Sequence, residues 1–176
     1  MIFRELPVPG ACVVEPELNK DPRGFFARLW CREEFQARGL CGEFVQCSTS
    51  FNERAGTLRG MHYQAEPHGE VKLVRCTRGT LHDVILDLRP DSPHFKRWTA
   101  VELSAANRLT LYIPKGVAHG FQTLEPDTDV LYHISEFYHS ESVRGVRWND
   151  PAFGIDWPLP DPILSGRDRN FPLWTP

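Results

Sequence analysis

The feature that most constrains this chain is its punctuation: short apolar runs cut at regular intervals by proline and glycine, of which the sequence holds 15 and 13. Within the runs, apolar residues tend to alternate with others. Residues 80–88 present Leu81, Val84, Leu86 and Leu88, residues 108–113 alternate through Leu109, Leu111 and Ile113, and residues 72–76 read polar, apolar, apolar, polar, apolar. Such alternation describes strands with one face buried. Between the runs stand turn formers: Asp21-Pro22-Arg23-Gly24, Arg78-Gly79, Arg89-Pro90-Asp91-Ser92-Pro93, Pro114-Lys115-Gly116 and Asp150-Pro151. These residues preset the backbone angles of tight turns. Short strands spaced this way predict an all-β sandwich or barrel, and a double-sheet jelly roll closes most of its edges. Helix is confined to residues 32–38, with Phe35 facing a core, and to a turn or two near the carboxy end.

At 176 residues the chain can bury one core and is too short for two ordinary domains, so residues 1–176 are expected to form a single domain. A formal charge of -3 and a pI near 6.2 provide no basic field for a nucleic-acid partner. An anionic ligand must be met by local cations. No run of about 18 apolar residues is present to span a membrane, and Met1 to Gly10 lacks the layout of a secretion signal. The expectation is a soluble, cytoplasmic protein. Cys12, Cys31, Cys41, Cys47 and Cys76 are odd in number and lack C-x-x-C spacing, which points to free, mostly buried thiols rather than disulfides or a zinc ribbon.

The densest polar segment is Leu58-Arg59-Gly60-Met61-His62-Tyr63-Gln64, followed after a turn by Lys72. A hairpin here would carry an imidazole and two cations to one barrel mouth. That layout suits proton abstraction beside a carbonyl, with His as base and Lys or Arg stabilising the enolate oxygen. A hydrogen-bonded sheet histidine with solvated cations accounts for the same residues. His119, between a Pro-Gly turn and Phe121, serves equally as a ligand contact or a satisfier of backbone groups. Tyr132 is a reasonable acid or a core aromatic; Asp168 is an orienting carboxylate for His62 or a loop residue. Metal chemistry finds little support, because His62, His68, His82, His94, His119, His133 and His139 include no H-x-H pair and no H-E-x-x-H helix. His68-Gly69-Glu70 sits in a turn and could recruit an ion only with distant partners.

Taken together, seven segments resemble the dTDP-4-dehydrorhamnose 3,5-epimerase family of cupin-like jelly rolls: Asp21 through Phe26, Leu58 through Gln64, Lys72 through Cys76, Asp83 through Arg89, Ile113 through Phe121, Trp148-Asn149-Asp150-Pro151 and Ser165-Gly166-Arg167-Asp168. The resemblance runs nearly end to end. It implies an isomerase without metal or cofactor that acts on a nucleotide-diphosphate-linked 4-keto-6-deoxy sugar, inverting carbon 3, carbon 5 or both. It also implies a homodimer in which the amino-terminal strand joins the partner's sheet. By the same resemblance His62 is the base, Asp168 its orienting carboxylate, Tyr132 the acid and Lys72 the cation at the ketone oxygen. Arg23, Phe26, Arg59 and Arg167 are expected at the ligand, Gln46 and Ser48 as substrate contacts, Tyr138 against the nucleobase, and His119 with Asp83 as a paired second layer.

Departures bear on the substrate. The family usually carries Glu where this chain has Arg28, Asn at Ser48, often Glu at Val143 and commonly Lys at His133. Exchanging an acceptor carboxylate for a guanidinium at Arg28 reverses the hydrogen-bond demand on the base, so cytosine- and guanine-linked sugars stand beside thymine-linked ones. Inversion of one carbon only, a 3,4-ketoisomerase, and a non-catalytic sugar-binding barrel are the remaining alternatives.

Overall fold

The structure, a computed structural model, describes residues 1–175; Pro176, the last residue of the expected domain, lies outside them. Along the chain run β1 (Ile2–Glu5), β2 (Cys12–Glu15), β3 (Asn19–Asp21), β4 (Gly24–Phe26), α1 (Arg32–Gln36), β5 (Gln46–Asn52), β6 (Leu58–Gln64), β7 (Lys72–Arg78) and β8 (Thr80–Asp87). They are followed by β9 (Trp98–Ser104), β10 (Thr110–Ile113), β11 (Val117–Thr123), β12 (Thr128–Ile134), β13 (Val143–Gly145) and α2 (Gly166–Arg169). Six strands form one sheet in the order β1-β2-β10-β7-β12-β5, and five form a second in the order β13-β6-β11-β8-β9. Strand pairings in both are antiparallel. This is the jelly roll that the punctuation predicts.

The turns do more than connect. From β5 to β8, and again from β9 to β13, each one carries the chain out of one sheet and into the other. The expected β6–β7 hairpin is therefore not formed: β6 lies in the five-stranded sheet and β7 in the six-stranded one, facing each other instead of pairing side by side. Inward residues from both sheets meet in one core, among them Val74, Leu111 and Val130 on one and Leu81, Ile85 and Phe121 on the other, these six each at most 1% exposed. Burial of each such side chain is worth about 1.5–3 kcal/mol. Where β7 and β12 extend past that core, their inward residues become Lys72, Tyr132 and Ile134, and the gap between the sheets opens into a cavity.

Several local expectations shift. The helix ends at Gln36 rather than at residue 38, because Gly39 takes a left-handed φ of 70° and the Leu40 N–H returns to the Phe35 carbonyl at 3.0 Å, a closure typical of helix ends at glycine. Phe35 is buried against Phe3 and Tyr112 as its spacing suggested. Strand β10 starts at Thr110, since Arg108 adopts a φ of 60° in the preceding turn. The amino-terminal strand β1 pairs with β2 of its own chain; the element that joins neither main sheet is the β3–β4 hairpin. All five thiols are free, but only Cys12 and Cys76 are buried, and Cys47 is exposed. Burial pushes the Cys12 and Cys76 thiols up to about 11. Among the described residues no helix is long and apolar enough to cross a membrane.

Candidate active site

A cavity of about 660 Å³ opens between the sheets, within the range of small-ligand sites. Its walls come from both of them: β6 and β11 supply His62, Arg59 and His119, while β5, β7 and β12 supply Ser48, Ser50, Lys72 and Tyr132. Tyr138, from the segment after β12, and Arg167 and Asp168, from α2, close the lining.

Arg59 and His62 both line this cavity although strict alternation puts residues three apart on opposite faces. A β-bulge resolves the conflict. His119 pairs with His62 and Phe121 with Arg59, so two steps along β11 oppose three along β6, and the extra residue turns both side chains the same way. The bulge depends on close backbone approach. Gly60 adopts a φ of 141°, and a Cβ there would stand 2.4 Å from the Gly120 Cα; one on Gly120 would lie 2.9 Å from the Arg59 carbonyl oxygen. Only glycine fits a left-handed position with backbone that near.

Asp168 reaches His62 from the far end of the sequence. Residues after β13 return alongside β6, where the Leu58 N–H donates to the Ile163 carbonyl at 2.9 Å. Ser165 then caps α2, its hydroxyl accepting from the Asp168 N–H at 3.1 Å, an S-x-x-D pattern that is legible in the sequence. The Asp168 carboxylate so placed accepts from His62 Nε2–H at 2.6 Å and from the Gly60 N–H at 3.4 Å. Burial alone would raise this carboxyl, but the hydrogen bond and charge of His62, with Gly60 and Ser165, outweigh it and hold Asp168 below the usual carboxylate range. With Nε2 committed, Nδ1 is the nitrogen left to take a proton.

On the other sheet, Tyr132 is half-buried and its hydroxyl lies 3.2 Å from Ser50 Oγ. Burial pushes the phenol far above the ordinary tyrosine range, and the Ser50 hydrogen bond and Arg59 charge offset only part of that. The phenol therefore holds its proton at neutral pH and is able to donate it. Lys72 reaches across the gap, donating to the His62 carbonyl oxygen at 3.5 Å and pairing with Glu70 at 2.9 Å. Arg59 is aimed by Asn52, whose Oδ1 accepts from Nε at 2.8 Å. His119 Nε2 stands 2.8 Å from Asp83 Oδ1, though neither group gains a well-aligned hydrogen bond; burial raises the Asp83 carboxyl, and the charges of His119, His82 and Lys72 do not cancel it.

Not every expected residue arrives. Arg23, Phe26 and Arg28 lie outside the cavity of their own chain, on and just after the β3–β4 hairpin. Arg23 pairs with Asp21 at 2.6 Å, Phe26 is 73% exposed and Arg28 meets Glu34 at 3.2 Å. Gln46 is the register partner of Ile134, one step beyond the lining. Val143 does line the cavity, while His133 points to the opposite face of β12 from Tyr132, beside Cys47. Four residues not expected at this site take part: Ser50, Asn52, Glu70, and Phe171, whose ring centroid is 5.7 Å from that of His62. Ser50 lies two positions from Ser48 on one strand and was available from alternation; Phe171 carried no signal.

An imidazole–carboxylate pair and a protonated phenol on facing sheets, with an ammonium between them, define a jelly-roll enzyme of proton transfer, an isomerase. The comparisons make the assignment specific. The family model described as dTDP-4-dehydrorhamnose 3,5-epimerase matches residues 5–175, and the chain belongs to that family. It is similar to the dTDP-4-dehydrorhamnose 3,5-epimerase of Methanothermobacter thermautotrophicus, at 44% identity over 99% of this chain and 93% of the relative. The crystal structure of the Bacillus anthracis enzyme with TDP and PPi bound superimposes with a TM-score of 0.95 at 43% identity, covering 98% of this chain and 99% of that one. A 3'-monoepimerase from Streptomyces bikiniensis in complex with dTDP-quinovose is also similar, with a TM-score of 0.89, 35% identity and coverages of 97% and 86%.

Proposed function

We propose that the chain, acting as one domain over residues 1–176, inverts stereocentres flanking the ketone of a dTDP-linked 4-keto-6-deoxy sugar, without metal or cofactor. The observation that carries this is the placement of His62 and Tyr132 on opposite sheets across one cavity. The ketone at carbon 4 acidifies the protons on carbons 3 and 5. His62 Nδ1 removes one from its side of the ring, the electrons move into an enolate, and Lys72 stabilises the oxygen most strongly as its charge develops. Tyr132 delivers its own proton from the opposite side, the enolate double-bond pair forming the new C–H bond while the oxygen's pair re-forms the carbonyl, which inverts the carbon; solvent then takes the proton from His62 and reprotonates Tyr132. Asp168 holds the imidazole and stabilises its protonated form. Ser48, Arg59, His119 and Arg167 border the sugar and diphosphate, and Tyr138 the base.

A second copy completes the site in this reading. Phe25, Phe26, Leu29 and Trp30 are exposed around a hairpin that its own sheets do not use, and transfer of Arg23, Phe26 and Arg28 to a partner's cavity gives them a role. A homodimer at micromolar concentration by light scattering is the expected result. The free thiols suit a reducing compartment, so we place the reaction in the cytoplasm.

Proton–deuterium exchange on dTDP-4-keto-6-deoxyglucose in deuterated water tests the assignment. Wild type should incorporate deuterium at the inverted carbons, His62→Ala should lose exchange while keeping dTDP affinity, and Tyr132→Phe should exchange but invert poorly. Full-rate exchange in His62→Ala would overturn the base assignment. Counting label at carbons 3 and 5 separates double from single inversion. Calorimetry with dTDP, CDP and GDP addresses Arg28: preference for CDP or GDP would replace the thymine reading.

A further inference from the structure

The turn between β6 and β7 and the segment between β12 and β13 meet at the cavity rim, where His68, His139 and Glu136 stand with their ligating atoms within 4.8 Å of one another. All three are half-buried. The two imidazoles stack in parallel, centroids 3.4 Å apart and planes 11° from each other. A single buried side chain holds both loops in place: Gln64 Nε2 donates to the His68 and Phe137 carbonyls at 3.1 and 3.0 Å, and its Oε1 accepts from the His139 N–H at 2.7 Å.

The cluster has the chemistry of a metal site. His139 Nδ1 lies 3.2 Å from Glu141 Oε1. A proton on Nδ1 donated to that carboxylate leaves the Nε2 lone pair free, the arrangement by which an outer carboxylate orients a ligating histidine. Two imidazole nitrogens and one carboxylate oxygen suit zinc-like divalent ions, with a fourth position open to water. Glu136 and Glu141 together balance the charge of a dication. We propose that His68, His139 and Glu136 bind a divalent transition metal of the zinc type, with Glu141 orienting His139. The two rings rotate from their parallel stack so that their lone pairs converge on the ion. The site supplies the distant partners that His68 lacks in its own turn, and it does not depend on the epimerase reading. Because Tyr138 lies between Phe137 and His139 and lines the cavity, a bound ion would tether that wall to the turn preceding Lys72.

Titration of the chelator-stripped protein with zinc chloride, followed by calorimetry, tests this, and cobalt(II) absorption reports the coordination geometry. Wild type should bind one ion and give the intense visible bands of four-coordinate cobalt. His68→Ala and His139→Ala should each weaken zinc at least tenfold, Glu141→Gln by roughly 10- to 100-fold, and His94→Ala should titrate as wild type. Should either histidine variant fail to fold, Glu136→Gln decides in the same titration. Equal zinc affinity in wild type and in the folded ligand variants, or no binding below millimolar zinc, would overturn the proposal.

Discussion

Two histidine–aspartate pairs stand on adjacent strands of the five-stranded sheet, Asp83 joining the second from β8 and Asp168 the first from α2, and they differ in solvation and hydrogen bonding. His62 and His119 are register partners on β6 and β11, with side chains 31% and 6% exposed. The first pair is cavity-facing, bonded at 2.6 Å and further satisfied by a backbone N–H, so its carboxyl is held low and stays charged. In the second, His119 also borders the cavity, but the pair is almost wholly buried and short of aligned partners, and its carboxyl is raised. The same two residue types thus give a carboxyl held low in one place and a carboxyl raised in the other. Solvation and hydrogen bonding decide which.

The largest effect should come from breaking the first pair. Asp168→Asn keeps an acceptor for Nε2–H but removes the charge that stabilises the imidazolium, and the rate of deuterium exchange should fall by about 10²- to 10⁴-fold. A loss under threefold would mean that His62 works without its carboxylate. Next in size is the bulge that follows the His62–His119 register pair. Gly60→Ala places a methyl against the Gly120 backbone at a left-handed position, and should destabilise the chain by about 2 kcal/mol or more in urea denaturation. The surviving folded fraction should also lose turnover, because Arg59 and His62 no longer share a face. Wild-type stability in this variant would show that the register shift is not held by the two glycines.

How much of this was legible in the sequence follows from the same residues. Strands and turns declared themselves through apolar alternation and through Asp21-Pro22-Arg23-Gly24 or Pro114-Lys115-Gly116, because those signals are local. The cavity residues were legible as segments resembling a family, and the structure brings His62, Lys72, Tyr132, Asp168 and His119 to one place. Their reason for meeting was not legible. Turns that look like hairpin loops carry the chain between sheets, and nothing in Arg78-Gly79 or in residues 65–71 distinguishes the two outcomes, since the choice is made by which apolar faces must cover each other. The bulge was likewise invisible: strict alternation separates Arg59 from His62, and only the approach of Gly60 to Gly120, distant in sequence, reunites them. His68 and His139 illustrate the same limit, being unremarkable apart and adjacent only in the fold.

The smallest expected effect is also the sharpest test of the contrast. Asp83 is fully buried, and burial raises its carboxyl above the unfolded value of about 3.9. By linkage, its contribution to stability is present below the ordinary carboxylate range and is lost as pH rises through the folded value. Asp168 runs the other way: its contribution is present above that range and is lost as pH falls through its lowered value. Asparagine resembles protonated aspartate, so Asp83→Asn should match wild type in acid and equal or exceed it by about 1 kcal/mol at neutral pH, with exchange rates changed less than about threefold. Asp168→Asn should be destabilised at neutral pH, with the deficit closing on acidification. Urea denaturation of the three proteins across the acid and neutral range distinguishes these signs. If Asp83→Asn instead lost stability at neutral pH as Asp168→Asn does, the buried pair would be an ion pair that the fold relies on, and the contrast between the two histidine–aspartate pairs would fail at its electrostatic root.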